Sequence, residues 1–213
     1  MKTDDFIAML ANEAPPVDRR APGRRFALAL LLGFAAATVL MAAGLGLRPD
    51  LAAAIHLPMF WLRISFAACI GLAALWLTLR LSRPGVRIGA RWASLAAPIA
   101  VAWVGMAVVL AGAPHGTRVA LLLGHTWRVC PILIALLSTP TFLAMLWAVR
   151  GMAPVRPRVT GAAVGVLAGA TATVAYCLHC PEMSPAFWST WYLLGMAIPG
   201  AVGALIGPRA LRW

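Results

Sequence analysis

The chain carries little charge and almost no acid. Only 11% of its 213 residues are charged, and just six are Asp or Glu. A soluble globular domain has about a quarter charged residues. Lysine is nearly missing too: Lys2 is the single lysine among 18 cations. No acidic residue lies inside any long apolar run. That disfavours an ion- or proton-coupled transporter, which keeps ionisable groups in its pathway. P-loop, dinucleotide and protease motifs are absent. The four histidines are too few and too peripheral for a haem between helices. These absences predict a protein that is not an enzyme and has no permanent cofactor, with thiol exchange the one catalytic reading left open.

What is abundant is apolar sequence. The chain is 62% hydrophobic, in runs of roughly 20 residues, the length that crosses a bilayer core as a helix. In lipid such runs must be helical, because the backbone has to satisfy its own hydrogen bonds. The reading is an all-α integral membrane bundle of six transmembrane helices, near 26–47, 60–81, 92–112, 129–149, 159–180 and 187–206. The first run is too long for the apolar core of a signal peptide. Residues 1–25 form an N-terminal segment, 26–206 the membrane domain and 207–213 a short tail.

The net charge of +12 does not imply direct nucleic-acid binding, because the cations sit at the edges of apolar runs. Fourteen fall on one side of the six-span arrangement and four on the other: Arg48, Arg63, Arg118 and Arg128. Positive residues favour the cytoplasm, so both termini are expected there. Seventeen arginines and an alanine-rich composition fit a GC-rich bacterial genome and hence the inner membrane. Trp61, Trp92, Trp127, Trp147, Trp188 and Trp191 lie near span ends, as in an interfacial aromatic belt. Arg63 is expected to snorkel outward. Gly161, Gly165 and Gly169 put a smooth stripe on span five, for packing within the chain or for a homodimer face.

The N-terminal segment holds four of the six acids. Thr3 can cap a short helix, with Asp4 and Asp5 at its positive end. Phe6, Ile7, Met9 and Leu10 gather apolar bulk largely on one face, and Pro15-Pro16 stops it. So short a helix needs a surface to fold against. Its acidic face suits a basic protein partner better than anionic lipid.

Chemistry concentrates in Tyr176-Cys-Leu-His-Cys-Pro-Glu-Met-Ser-Pro185. The Cys177–Cys180 C-x-x-C ends a helix, where the dipole opposes thiolate, so it is a poor thioredoxin-type site. Cys177 reads as buried packing, as does Cys69 within span two. Cys130 precedes Pro131 at the expected N-terminus of span four, with Arg128 nearby; both features favour thiolate. Cys130 and Cys180 share one membrane level on different spans. Their thiols, with His179 or His125 as auxiliaries, would suit a transient soft metal ion or a redox signal. Ser184-Pro185 reads as the cap and first residue of span six. Glu182 is expected to pair with Arg128 or Arg118.

Five segments carry a resemblance over almost the whole chain. They are Met1-Lys-Thr-Asp-Asp-Phe-Ile-Ala-Met-Leu10, Pro58-Met-Phe-Trp-Leu62, Gly124-His-Thr-Trp-Arg-Val-Cys130, Leu178-His-Cys-Pro-Glu-Met-Ser-Pro185 and Gly207-Pro-Arg-Ala-Leu-Arg-Trp213. The chain resembles the small bacterial membrane proteins of the NrsF type, negative regulators of sigma F, an extracytoplasmic-function sigma factor. The resemblance implies a six-span anti-sigma factor whose cytoplasmic N-terminus holds the sigma factor away from RNA polymerase. It also implies that a cysteine pair, here Cys130 and Cys180, takes part in stress or heavy-metal signalling. The rival reading is a membrane thiol-disulfide oxidoreductase; a small transporter comes last.

Overall fold

The computed structural model describes Thr3, residues 20–83 and residues 93–212. From residue 20 on, the described residues form nine α-helices: α1 Ala21–Gly44, α2 Leu51–Ala54, α3 Pro58–Leu81, α4 Ala93–Gly112, α5 Arg118–Leu123, α6 Cys130–Leu137, α7 Thr139–Arg150, α8 Pro157–Tyr176 and α9 Pro185–Ala210. The described residues contain no strand. Five helices are long and apolar enough to cross a membrane, and the α6–α7 pair makes a sixth if its bend of 42° joins one span. The bend falls at Ser138, two residues before Pro140, which lacks the N–H that would continue the helical ladder. The N-terminal residues Asp4, Asp5, Phe6, Ile7, Met9 and Leu10 lie outside the described residues, as does Trp92.

Burial ranks the helices. Within the most apolar stretch of each, 78% of α8 is buried but only 6% of α4. Helix α8 is the axis, packed most extensively on α9, then on α3, with α7, α1 and α6 around it. The glycine stripe explains the closest pair. Gly161 faces the Gly203 carbonyl, Gly165 the Pro199 carbonyl, and Gly169 lies against Met196. A Cβ at any of these would strike backbone, so the two helices touch main chain to main chain. In lipid no hydrophobic drive joins helices, and such close approach supplies the attraction. The stripe is therefore spent inside the chain, not offered to a second copy.

Outward-facing positions are leucine, valine and tryptophan: Leu31, Leu72, Val101, Trp103 and Leu205 are all exposed. So contiguous an apolar exterior fits a lipid environment. Hydroxyls within helices return to the carbonyl four residues earlier, as Thr78 Oγ1 does to Ala74 (2.7 Å) and Thr173 Oγ1 to Gly169 (2.8 Å).

The two ends of the bundle differ. One gathers Arg24, Arg25, Arg80, Arg83, Arg150, Arg156 and Arg158, with the Arg25 guanidinium 4.2 Å from the Trp147 ring centre. A groove of about 560 Å³ opens there, lined by Arg20, Arg24, Ser82, Arg83 and Met152 among others. The opposite end carries the cysteines.

Candidate functional site: a buried thiol pair under an arginine clamp

Two helix ends meet at the thiol end. Helix α6 begins at Cys130, whose N–H bonds the Thr126 carbonyl (2.9 Å), and Pro131 follows. Helix α8 finishes at Tyr176, earlier than the expected 180. The chain tightens as the His179 and Cys180 amides both bond the Tyr176 carbonyl (3.0 Å each), and Pro181 removes the next donor. This turn brings Cys180 to Cys130. Both are fully buried in one core cluster, thiol beside thiol. All four cysteines are free thiols. Cys177 is buried behind the pair, and Tyr192 Oη faces the sulfurs of Cys177 and Cys180 without an oxygen or nitrogen partner.

A helix C-terminus leaves carbonyls unbonded. Here arginine takes them. Arg63, on α3, is completely buried. Its Nη1 donates to the carbonyls of Cys180 (2.9 Å) and Glu182 (2.7 Å), and its Nη2 to that of Cys177 (2.7 Å). Arg63 therefore does not snorkel outward; three carbonyls at the negative end of α8 offer its charge a better environment. Arg48 adds a longer bond to the Cys180 carbonyl (3.3 Å) and holds Asp50 through two nitrogens (2.6 and 2.7 Å). That pairing keeps the Asp50 carboxyl below its ordinary pKa. His179 Nδ1 donates to the Gly46 carbonyl (2.9 Å), and the Arg48 amide to that of Leu178 (3.2 Å). The connections after α1 and α8 and the body of α3 are thus one hydrogen-bonded unit.

The loop before α6 is docked on the same turn. Glu182 Oε1 accepts the His125 amide proton (2.7 Å), instead of pairing with Arg128 or Arg118. Arg128 instead lies over the Trp127 ring (4.9 Å), and Arg118 bonds the Ala113 carbonyl (3.1 Å). Gly124 makes the docking possible. Its φ is +54°, and a Cβ there would come within 2.8 Å of the Glu182 carboxyl. Trp191 Nε1 ties the Leu122 carbonyl (2.8 Å).

Several expectations need correcting. Cys69 is exposed on the outer face of α3, not buried: one helical turn sets it beyond the core-facing Phe66 and Ile70. Trp188 is buried against Phe66 (5.0 Å between rings), because α9 turns that face inward from its first turn; it is no belt residue. Ser184 occupies the cap position of α9, but its hydroxyl makes no capping bond. The auxiliary histidines do not join the thiols. The His125 side chain is 98% exposed, and His179 is turned to Gly46. Among the described residues no three His, Cys, Asp or Glu side chains converge as a metal would require. Two sulfurs fall short of the four ligands of a structural zinc site.

Arg63 and Arg48 were missed as site residues, although the sequence signalled the first. A cation well inside an apolar run marks a functional position by default. Tyr192, buried beside the thiols, left no such trace.

The physical picture is of a small helical protein with five or six helices long and apolar enough to cross a membrane, three of its thiols gathered at one end and most of its described cations at the other. The chain belongs to the NrsF family: the family profile, described as negative regulator of sigma F, matches residues 10–213. It is 48% identical over 213 residues to the probable anti-sigma-F factor NrsF of Azospira oryzae. It is 39% identical over 216 residues to the anti-sigma-F factor NrsF of Caulobacter vibrioides. Both alignments cover all of each chain. No solved structure matches it.

Proposed function

We propose that this protein is a membrane-bound anti-sigma factor of the bacterial inner membrane, which sequesters an extracytoplasmic-function sigma factor and frees it when Cys130 and Cys180 are oxidised. The full-length relatives named as anti-sigma-F factors support the first half. The observation that carries the second is the meeting of Cys130, at the start of α6, and Cys180, in the turn after α8, in one buried pair at the end opposite Arg80, Arg83 and Arg150. The arginine end faces the cytoplasm by the positive-inside rule. There the acidic residues Asp4 and Asp5, with Phe6, Ile7, Met9 and Leu10, hold the sigma factor.

The signal has a route. Joining Cys180 to Cys130 displaces the 177–182 turn, which Arg63 grips by three carbonyls. Helix α3 then moves as a unit, and its far end bears Arg80 and Arg83. A swing from mostly held to mostly free takes roughly 5.5 kcal/mol of differential stabilisation. A disulfide that constrains one state only contributes about 2–4 kcal/mol, the larger part of that swing.

The test is a sigma-dependent reporter. The Cys130→Ser, Cys180→Ser double variant should repress normally and ignore oxidant; a full response in that variant sinks the sensor reading. Deleting residues 1–22 should free the sigma factor without any signal. Continued repression would move the contact to the arginine-rich connections.

A further inference from the structure

We infer that the thiol pair is asymmetric: Cys180 is the attacking thiolate and Cys130 the resolving thiol, with Arg63 and Arg48 as the residues that position and polarise Cys180. This deepens the sensor reading and rests on it for its biological meaning, though not for its chemistry.

Four observations converge. First, Arg63 is a fully buried cation that donates to three carbonyls of the turn bearing Cys180 and lies 5.1 Å from the Phe60 ring centre. A buried cation favours an anion beside it. The turn it grips carries two thiols, and Cys180, not Cys177, is the one that meets Cys130. Second, Arg48 converges on the same carbonyl, although Asp50 engages most of its charge. Third, the features that favoured a Cys130 thiolate in the sequence are spent elsewhere. The Val129 and Cys130 amides both bond the Thr126 carbonyl, Pro131 has no N–H, and the Arg128 guanidinium lies over Trp127. Fourth, both guanidiniums reach the carbonyl of Cys180 itself, whereas no side-chain cation among the described residues bonds the backbone of Cys130.

The chemistry balances with a hydroperoxide as oxidant. The Cys180 thiolate attacks the distal peroxide oxygen and the O–O bond breaks. Cys180 becomes a sulfenic acid, and the leaving alkoxide, or hydroxide from hydrogen peroxide, takes a proton. The Cys130 sulfur, as its proton leaves, attacks the Cys180 sulfur and expels water. Two thiols and one hydrogen peroxide give one disulfide and two waters. The peroxide gains the two electrons that the thiols lose. Full burial of both sulfurs restricts the oxidant to a small, neutral molecule.

The experiment uses full-length protein in lipid nanodiscs, treated with hydrogen peroxide or with methyl methanethiosulfonate and read by peptide mass spectrometry across pH. In Cys130→Ser, Cys180 should be oxidised and methylthiolated readily near neutral pH. In Cys180→Ser, Cys130 should react at least about tenfold more slowly. Equal or faster reaction of Cys130 overturns the assignment. Arg63→Gln should raise the pH midpoint of Cys180 labelling by about one unit or more, and Arg63→Lys should restore most of it. An unchanged midpoint in a folded Arg63→Gln protein removes Arg63 from the proposal. If Arg63→Gln does not fold, the two single-cysteine variants still decide the order of attack. A reporter indifferent to both cysteines would defeat the sensor reading while leaving this order intact.

Discussion

Arg63 and Cys180 stand 117 residues apart, yet the guanidinium Nη1 lies 2.9 Å from the Cys180 carbonyl oxygen, wholly inside the bundle. The same side chain holds Cys177 and Glu182, so one residue of α3 closes the end of α8. This single tie organises the thiol end, and most of what can be tested follows from it.

Arg63→Met should destabilise the fold strongly. Three buried carbonyls lose their donor at once, and breaking charged buried bonds costs about 3–5 kcal/mol. Thermal unfolding in detergent should show a large drop in Tm. A Tm within a degree or two of wild type would contradict the clamp.

The glycine stripe separates packing from propensity. Gly165→Ala drives a methyl into the Pro199 carbonyl and should cost on the order of 2 kcal/mol or more by overpacking. Gly105→Ala, on α4, meets nothing within 4 Å and should stabilise by about 0.5–1 kcal/mol through helix propensity. Paired unfolding curves check both; equal effects would mean that α8 and α9 do not touch as described.

Cys69 and Cys177 should behave oppositely to a lipid-permeable maleimide. Exposed Cys69 should label in the folded protein, whereas Cys177 should stay protected until denaturation. Cys69→Ala should leave reporter response unchanged. Protection of Cys69 would point to a partner on the outer face of α3.

Acid should loosen the Arg48–Asp50 tie. The Asp50 carboxyl has its pKa lowered by folding, so its contribution is present above the unfolded carboxyl value and fades as pH falls through the folded one. Asp50→Asn should flatten that part of the stability profile, measured by unfolding at pH 7 and pH 3. An identical pH slope in the variant would show that the pairing contributes nothing.

Glu182→Ala should release the loop before α6. The His125 amide loses a charged acceptor, worth about 1.5–3 kcal/mol. Amide hydrogen exchange at residues 124–129 should rise with little change in α1; unchanged protection would rule out the Glu182 tether.

The long apolar helices and their approximate positions were readable because runs of that length and composition favour helix; whether the bent α6–α7 pair counts as one was not. The Gly161–Gly165–Gly169 stripe was equally legible, since its spacing places three residues on one face. Its partner was not: nothing in the sequence says that Pro199 and Gly203 lie opposite. Arg63 was misjudged because side-chain length permits snorkelling, and only the position of the α8 carbonyls favours the inward choice. Cys69 was misjudged because an alanine-rich span looks alike on all sides, and lipid accepts a thiol as readily as a core does. Cys130 and Cys180 could be placed at one level by span counting, whereas their distance apart depends on the turn at Tyr176.

Arg63 and Arg48 hold the 177–182 turn by main-chain oxygens, atoms that every amino acid carries. The hold therefore does not depend on which side chains occupy the turn. Side chains at Leu178 and Met183 are free to be exchanged without loosening it, whereas that of Glu182 holds the loop before α6. The grip is written in the arginines; the turn is left as an editable surface.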